Sequence, residues 1–192
     1  GIEQALDDYE ADEDLWVAIL TGTGSVFCAG ADLKEIASGN ARSLSTSKGG
    51  FGGLVKRNRE KPLLAAINGT AVAGGLELML ACDLAIAVDA AKFGLPEVKR
   101  SLVAGAGGLF RLPRAVGRSV AMELIMTGDT IGAKRACELG LINAVVEPEA
   151  LMSEAKSLAS RITANAPLAV QASRRIAERA LVDGDDELWQ QS

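Results

Sequence analysis

The chain of 192 residues contains no histidine. That excludes Ser-His-Asp and Cys-His nucleophilic catalysis, His-ligated metal sites and an imidazole general base built from these residues. Cysteine is scarce: Cys28, Cys82 and Cys137 are odd in number, far apart and set among apolar or small residues, with no Cys-x-x-Cys pair. They read as reduced, mostly buried thiols in a reducing compartment. No long uncharged apolar run is present. The most apolar stretch, Ala71 to Val88, is interrupted by Gly74-Gly75, Glu77 and Asp83, which excludes a membrane-spanning helix there. No basic-then-apolar segment opens the chain, so a cytoplasmic location is the expectation. A basic excess is lacking too, with 20 Lys and Arg against 25 Asp and Glu. Seven of those acids fall in residues 1–14 (Glu3, Asp7, Asp8, Glu10, Asp12, Glu13, Asp14), leaving the rest close to neutral. A general nucleic-acid binder would show a concentrated basic face. A small anionic ligand stays open.

What is present is the composition of a globular domain, 48% hydrophobic and 23% charged, with enough chain to bury a real core. Chemistry must then run on carboxylates, main-chain amides, Lys or Cys. Leu15 to Leu20 is a short apolar run ending in Thr21-Gly22-Thr23-Gly24, a buried strand and its exit turn. Leu63 to Ile67 before Asn68-Gly69, Leu84 to Val88, and Leu141 to Val146 before Glu147-Pro148 repeat the pattern. Near-continuous apolar strands point to a sheet covered on both faces and an α/β fold. Helical patterns cover Gly74 to Cys82, Arg118 to Met126, and Gly132 to Leu139 with Gly140 as its stop. Two longer amphipathic ones follow, Glu149 to Ile162 and Pro167 to Leu181. Residues 38–53, rich in Gly and Ser, read as a mobile loop.

Glu77 lies in Ala73-Gly74-Gly75-Leu76-Glu77-Leu78-Met79-Leu80-Ala81-Cys82, a segment with no polar face for it to share. A carboxylate buried without a partner is costly. Such a group has a function, projects from a helix end, or pairs with a buried Arg. Glu97 follows Pro96 and suits the first turn of a helix. It is also a second carboxylate, able to form an acid/base pair with Glu77 if folding brings them together. Gly74-Gly75 opens a helix whose free amides suit an anion or a developing oxyanion. The small-residue turn Cys28-Ala29-Gly30-Ala31-Asp32-Leu33 permits close approach of a ligand or simply tight packing. Gly22-Thr23-Gly24 and Ala104-Gly105-Ala106-Gly107-Gly108 lack the remainder of a dinucleotide or phosphate-loop fingerprint. Both read as structural turns before a helix.

The ordered motifs Val26 to Leu33, Lys61-Pro62 with Ala66-Ile67-Asn68-Gly69, Ala73 to Leu78 with Cys82-Asp83, and Phe93-Gly94-Leu95-Pro96-Glu97 resemble the crotonase (enoyl-CoA hydratase/isomerase) superfamily. Gly105-Ala106-Gly107-Gly108 with Arg111-Leu112-Pro113-Arg114, and Thr127-Gly128-Asp129 through Gly140-Leu141-Ile142, extend the match in the same order. The resemblance covers about residues 15–182 and is closest to the enoyl-CoA hydratases. It implies an α/β fold, a crotonase-like ββα spiral over residues 1–145 with a C-terminal helical region over 146–192. The family pattern has a further segment before this chain and another after it, so trimming at both ends is expected. The ligand implied is an acyl-CoA thioester, its oxygen held between the main-chain N–H groups of Ala29 and Gly74. Ala29, Gly30, Ala31, Asp32 and Leu33, with Gly74, would line the substrate and its CoA moiety.

The hydratase glutamates of the family fall on Glu77 and Glu97. Addition of water across C2–C3 of a 2-enoyl-CoA is therefore the expected reaction, in fatty-acid or related acyl-CoA metabolism. No metal or redox cofactor is expected, coenzyme A being part of the substrate. A homotrimer or homohexamer is expected, without nucleic-acid or membrane partners. The alternatives are an enoyl-CoA isomerase or another crotonase-type acyl-CoA reaction, and a non-catalytic acyl-CoA-binding paralogue. Both glutamates and both small-residue turns favour the hydratase. Proteolytic members using Ser-His-Asp are excluded by the missing histidine.

Overall fold

The computed structural model describes residues 1–32 and 44–180. Helix α1 (Ile2–Ala11) is followed by strands β1 (Ala18–Thr21), β2 (Val26–Cys28), β3 (Ser45–Thr46), β4 (Gly50–Phe51), β5 (Leu63–Ile67) and β6 (Thr70–Val72). Helix α2 (Gly74–Leu80), β7 (Leu84–Val88), β8 (Lys92–Gly94) and a 3₁₀ turn, Pro96–Arg100, come next. Then follow α3 (Gly108–Val116), α4 (Arg118–Thr127), β9 (Thr130–Gly132), α5 (Ala133–Glu138) and β10 (Ala144–Val146). A second 3₁₀ turn, Pro148–Ala150, leads into α6 (Leu151–Thr163) and α7 (Pro167–Arg179).

The four apolar runs form one parallel sheet in the order β1-β5-β7-β10. All five residues of β5 are buried, as expected for a central strand covered on both faces. The short strands between them form a second sheet, β2-β6-β8-β9, parallel except for β9. Each consecutive pair (β1–β2, β5–β6, β7–β8) thus gives one strand to each sheet, and a helix or 3₁₀ turn follows the second and third pairs. This is the ββα spiral, completed by C-terminal helices.

Side chains fasten the turns of the spiral. Asn68, at the end of β5, accepts from the Gly22 N–H at 3.0 Å and donates to the Gly24 carbonyl at 2.7 Å, joining two strand exits. Asp83, before β7, accepts from Arg59 at 3.0 Å, from the Leu63 N–H at 2.7 Å and from Arg174 of α7 at 2.9 Å. Helix α6 contributes Leu151 and Ala155 to the main core. Helix α7 has no buried residue and is tied down chiefly by Arg174.

Several boundaries differ from the sequence reading. Strand β1 begins at Ala18, because Leu15 and Trp16 belong to a turn in which the Leu15 N–H bonds Asp12 and the Trp16 indole bonds Glu13. Strand β10 begins at Ala144, since Leu141 closes α5 by bonding Ala136 and Asn143 bridges to Ala85 with its main chain and side chain. The acidic opening is a helix, docked by Leu6 and Tyr9. Of the residues read as a mobile loop, the described 44–53 include the β3–β4 hairpin; residues 38–43, and the expected helix end at Leu181, lie outside the described residues. The three cysteines are free thiols, each partly buried; desolvation pushes the Cys82 thiol up to about 12. Among the described residues, no helix is long and apolar enough to cross a membrane.

Candidate active site

A cavity of about 840 Å³ opens where β2, β6, the start of α2, the β3–β4 hairpin and the Pro96–Arg100 turn converge. Its lining includes Ala29, Ala31, Asp32, Gly74, Glu77 and Glu97. The fold therefore gathers residues from three separate motifs into one space.

The turn after β2 meets the start of α2 by virtue of glycine. Gly30 has φ +97, and a Cβ there would stand 2.8 Å from the Ala73 Cβ and 3.1 Å from the Gly74 nitrogen. A Cβ on Gly75 would fall 1.9 Å from the Cys28 carbonyl oxygen. Ala73, at the entry to α2, holds φ 52 and ψ −130, a costly conformation for a residue with a Cβ. Its N–H is fixed to the Gly94 carbonyl at 3.0 Å. As the first residue of the helix, Gly74 has an N–H with no partner within it. Phe51 of the hairpin lies over Gly74.

Glu77, one turn into α2, is 3% exposed. It neither projects from a helix end nor pairs with a buried Arg. Its Oε1 accepts the Ala106 N–H at 2.7 Å and the Gly108 N–H at 2.9 Å. The glycine-rich segment before α3 is therefore the turn expected before a helix, whereas Gly22-Thr23-Gly24 leads into strand β2 instead; the former also supplies the donors that fix this carboxylate. Sequence reasoning missed the second role. Free amides before a helix were a visible signal, but their acceptor stands 29 and 31 positions away.

Glu97 occupies the first turn of the 3₁₀ segment after Pro96, and it faces the same cavity as Glu77. Its Oε2 is buried with no hydrogen-bond partner. Desolvation raises its pKa above the ordinary glutamate value; its own main-chain N–H opposes this and the charge of Glu77 adds to it. Glu97 is thus the helix-start residue expected, and the fold brings it to the cavity that Glu77 also lines. Leu33 lies outside the described residues. No cluster of three or more His, Cys, Asp or Glu able to hold a metal ion occurs among the described residues.

A sequence model of the enoyl-CoA hydratase/isomerase family matches residues 2–190. The chain belongs to this family, the crotonase superfamily. It is 46% identical over 168 residues to (E)-benzylidenesuccinyl-CoA hydratase of Thauera aromatica, an alignment covering 86% of this chain and 66% of that protein. It is 42% identical over 171 residues to carnitinyl-CoA dehydratase of Escherichia coli K12, covering 88% and 66%. The chain thus spans about two thirds of the length of these relatives. Among solved structures, enoyl-CoA hydratase from Mycobacterium tuberculosis H37Rv superposes with a TM-score of 0.94 at 47% identity, covering 100% of this chain and 75% of that one. Carnitinyl-CoA hydratase from Mycobacterium avium superposes at 0.85 and 45% identity, covering 99% and 75%.

Proposed function

We propose that this chain carries the active site of a 2-enoyl-CoA hydratase. The observation that carries the reading is the pair of glutamates in one cavity, Glu77 anchored by two main-chain amides and Glu97 with a buried, unpartnered oxygen. The thioester oxygen accepts from the N–H groups of Ala29 and Gly74, with Gly30, Ala31 and Asp32 along the CoA moiety. Glu77 takes a proton from water as its oxygen bonds to C3. The C2–C3 π pair moves to the thioester as an enolate, whose charge the two amides stabilise, a contribution of about 3 kcal/mol per donor in comparable sites. Glu97 then delivers a proton to C2, and the elements of water have been added without oxidation or reduction. A raised pKa suits that delivery, because it keeps a larger share of Glu97 protonated near neutrality.

The names of the relatives support acyl-CoA chemistry of this kind, and no resident metal or redox cofactor is required by it. The same reading includes a cytoplasmic enzyme assembled as a trimer or a pair of trimers. Sedimentation across a concentration series checks the assembly, and a monomer throughout would contradict it. For the reaction, Glu77→Gln and Glu97→Gln should each lower kcat on crotonyl-CoA by about a hundredfold to ten-thousandfold, followed by loss of enoyl-thioester absorbance. An isomerase driven by Glu97 alone would instead retain activity on a 3-enoyl-CoA in Glu77→Gln, and that result would replace the hydratase reading.

A further inference from the structure

The cavity holds a charged group that hydration itself does not use. Arg100 lines it, on the same 3₁₀ segment as Glu97. Side chains three apart in a 3₁₀ helix eclipse one another, at a rise of about 2 Å per residue. Glu97 and Arg100 therefore project from one face, about 6 Å apart along the axis. The neighbouring Lys99 bonds Asp129 at 2.6 Å. Arg100 has no side-chain hydrogen bond or ion pair among the described residues, with Glu97 or with any other group.

The remaining charges lining this space are Asp32, Glu77 and Lys56. Asp32 is already engaged, and Glu77 is held by Ala106 and Gly108. Lys56 is a second cation of the lining without an ion pair among the described residues, but it lies beside the β3–β4 hairpin, whereas Arg100 shares the 3₁₀ segment of Glu97. Arg100 is exposed at the edge of this cavity, whose apolar lining includes Phe51, Val55, Leu102 and Val103. An unpaired guanidinium beside an apolar cavity presents a planar fork of donors suited to a carboxylate.

Building on the hydratase reading, we infer that Arg100 is a specificity residue that receives an anionic group at the far end of the acyl chain, a carboxylate, so that the preferred substrates are 2-enoyl-CoA thioesters of dicarboxylic acids. The reacting carbons sit at Glu97, and the guanidinium, one 3₁₀ turn on, meets a group several bonds beyond them. The phosphates of coenzyme A offer the same anionic chemistry, and the test separates the two sources.

Binding of adipoyl-CoA and hexanoyl-CoA, saturated esters of equal length differing only in the terminal carboxylate, is measured by calorimetry. The proteins compared are the unaltered chain, Arg100→Met and Arg100→Lys. The unaltered chain should prefer adipoyl-CoA by about tenfold or more. Arg100→Met should abolish that preference while leaving hexanoyl-CoA affinity nearly unchanged, which also shows that the variant is folded. Arg100→Lys should keep part of the preference. No preference in the unaltered chain, or equal weakening of both esters by Arg100→Met, overturns the inference; the second result would assign Arg100 to the CoA phosphates. Failure of both esters to bind the unaltered chain would overturn the acyl-CoA reading as well.

Discussion

Glu77 and Glu97 are placed by opposite means. The first is immobilised by two N–H donors; the second keeps a buried oxygen without a partner. Glu97 contributes a pH dependence of its own. Its folded pKa lies above the ordinary value of 4.5, so the stabilisation linked to its proton is complete below that value and is lost as pH rises through the raised pKa. Thermal melts of the unaltered chain and Glu97→Gln across that window should show the variant gaining relative stability with rising pH; a constant difference would contradict this. At this scale the sequence singled out Ala29, Gly74, Glu77 and Glu97, which the fold brings to one cavity. A glutamate inside an apolar helix and small residues at two turns are local signals. The donors of Glu77 were not legible, because the contact joins α2 to a distant glycine-rich turn, and only the folded chain sets that distance.

Glycines at the strand–helix junctions set how closely the elements approach. The 1.9 Å separation between a Gly75 Cβ and the Cys28 carbonyl oxygen leaves no room for a methyl group against main chain. Gly75→Ala should destabilise the fold by about 3 kcal/mol, read as a lower urea midpoint, and reduce activity with it; an unchanged midpoint would show that β2 can withdraw freely. The long apolar strands β5 and β7 were legible to the residue, since a five-residue apolar run between turn signals is sufficient. Strands β6, β8 and β9 were not, having 3 residues each, too few for a period to appear. Helix α1 was concealed by its acids: only Ile2, Leu6 and Tyr9 mark its apolar face. Those acids are its fastenings, with Glu3 bonding Thr46 and the Gly49 N–H, and Asp7 bonding Lys48 and Arg57.

Across the whole molecule, Asp83 links the sheet, the Arg59–Lys61 segment and the C-terminal helix α7. Its desolvation is outweighed by Arg59, the Leu63 N–H and Arg174, which together hold the carboxyl below the ordinary value of 3.8. The stability it contributes is present above that value and lost as pH falls through the depressed pKa. Asp83→Asn leaves the buried Arg59 guanidinium without its counter-charge and should cost about 3 kcal/mol, with a smaller loss of stability on acidification than in the unaltered chain. Chemical denaturation at neutral and acidic pH checks both. A drop below 1 kcal/mol at neutral pH, within the range of an exposed pair, would remove Asp83 from this role.

The overall architecture was readable from ordered motifs spread along the chain, while the convergence of three motifs on one cavity required the two sheets to be assembled. The proposed reaction of this cavity is the addition of water to an enoyl thioester. The most direct measurement is incubation of the chain with crotonyl-CoA in oxygen-18 water, followed by mass spectrometry of the thioester. Hydration should give 3-hydroxybutyryl-CoA with one heavy oxygen on C3, formed by the unaltered chain and absent with Glu77→Gln. Crotonyl-CoA recovered without label, although bound by the chain, would contradict it.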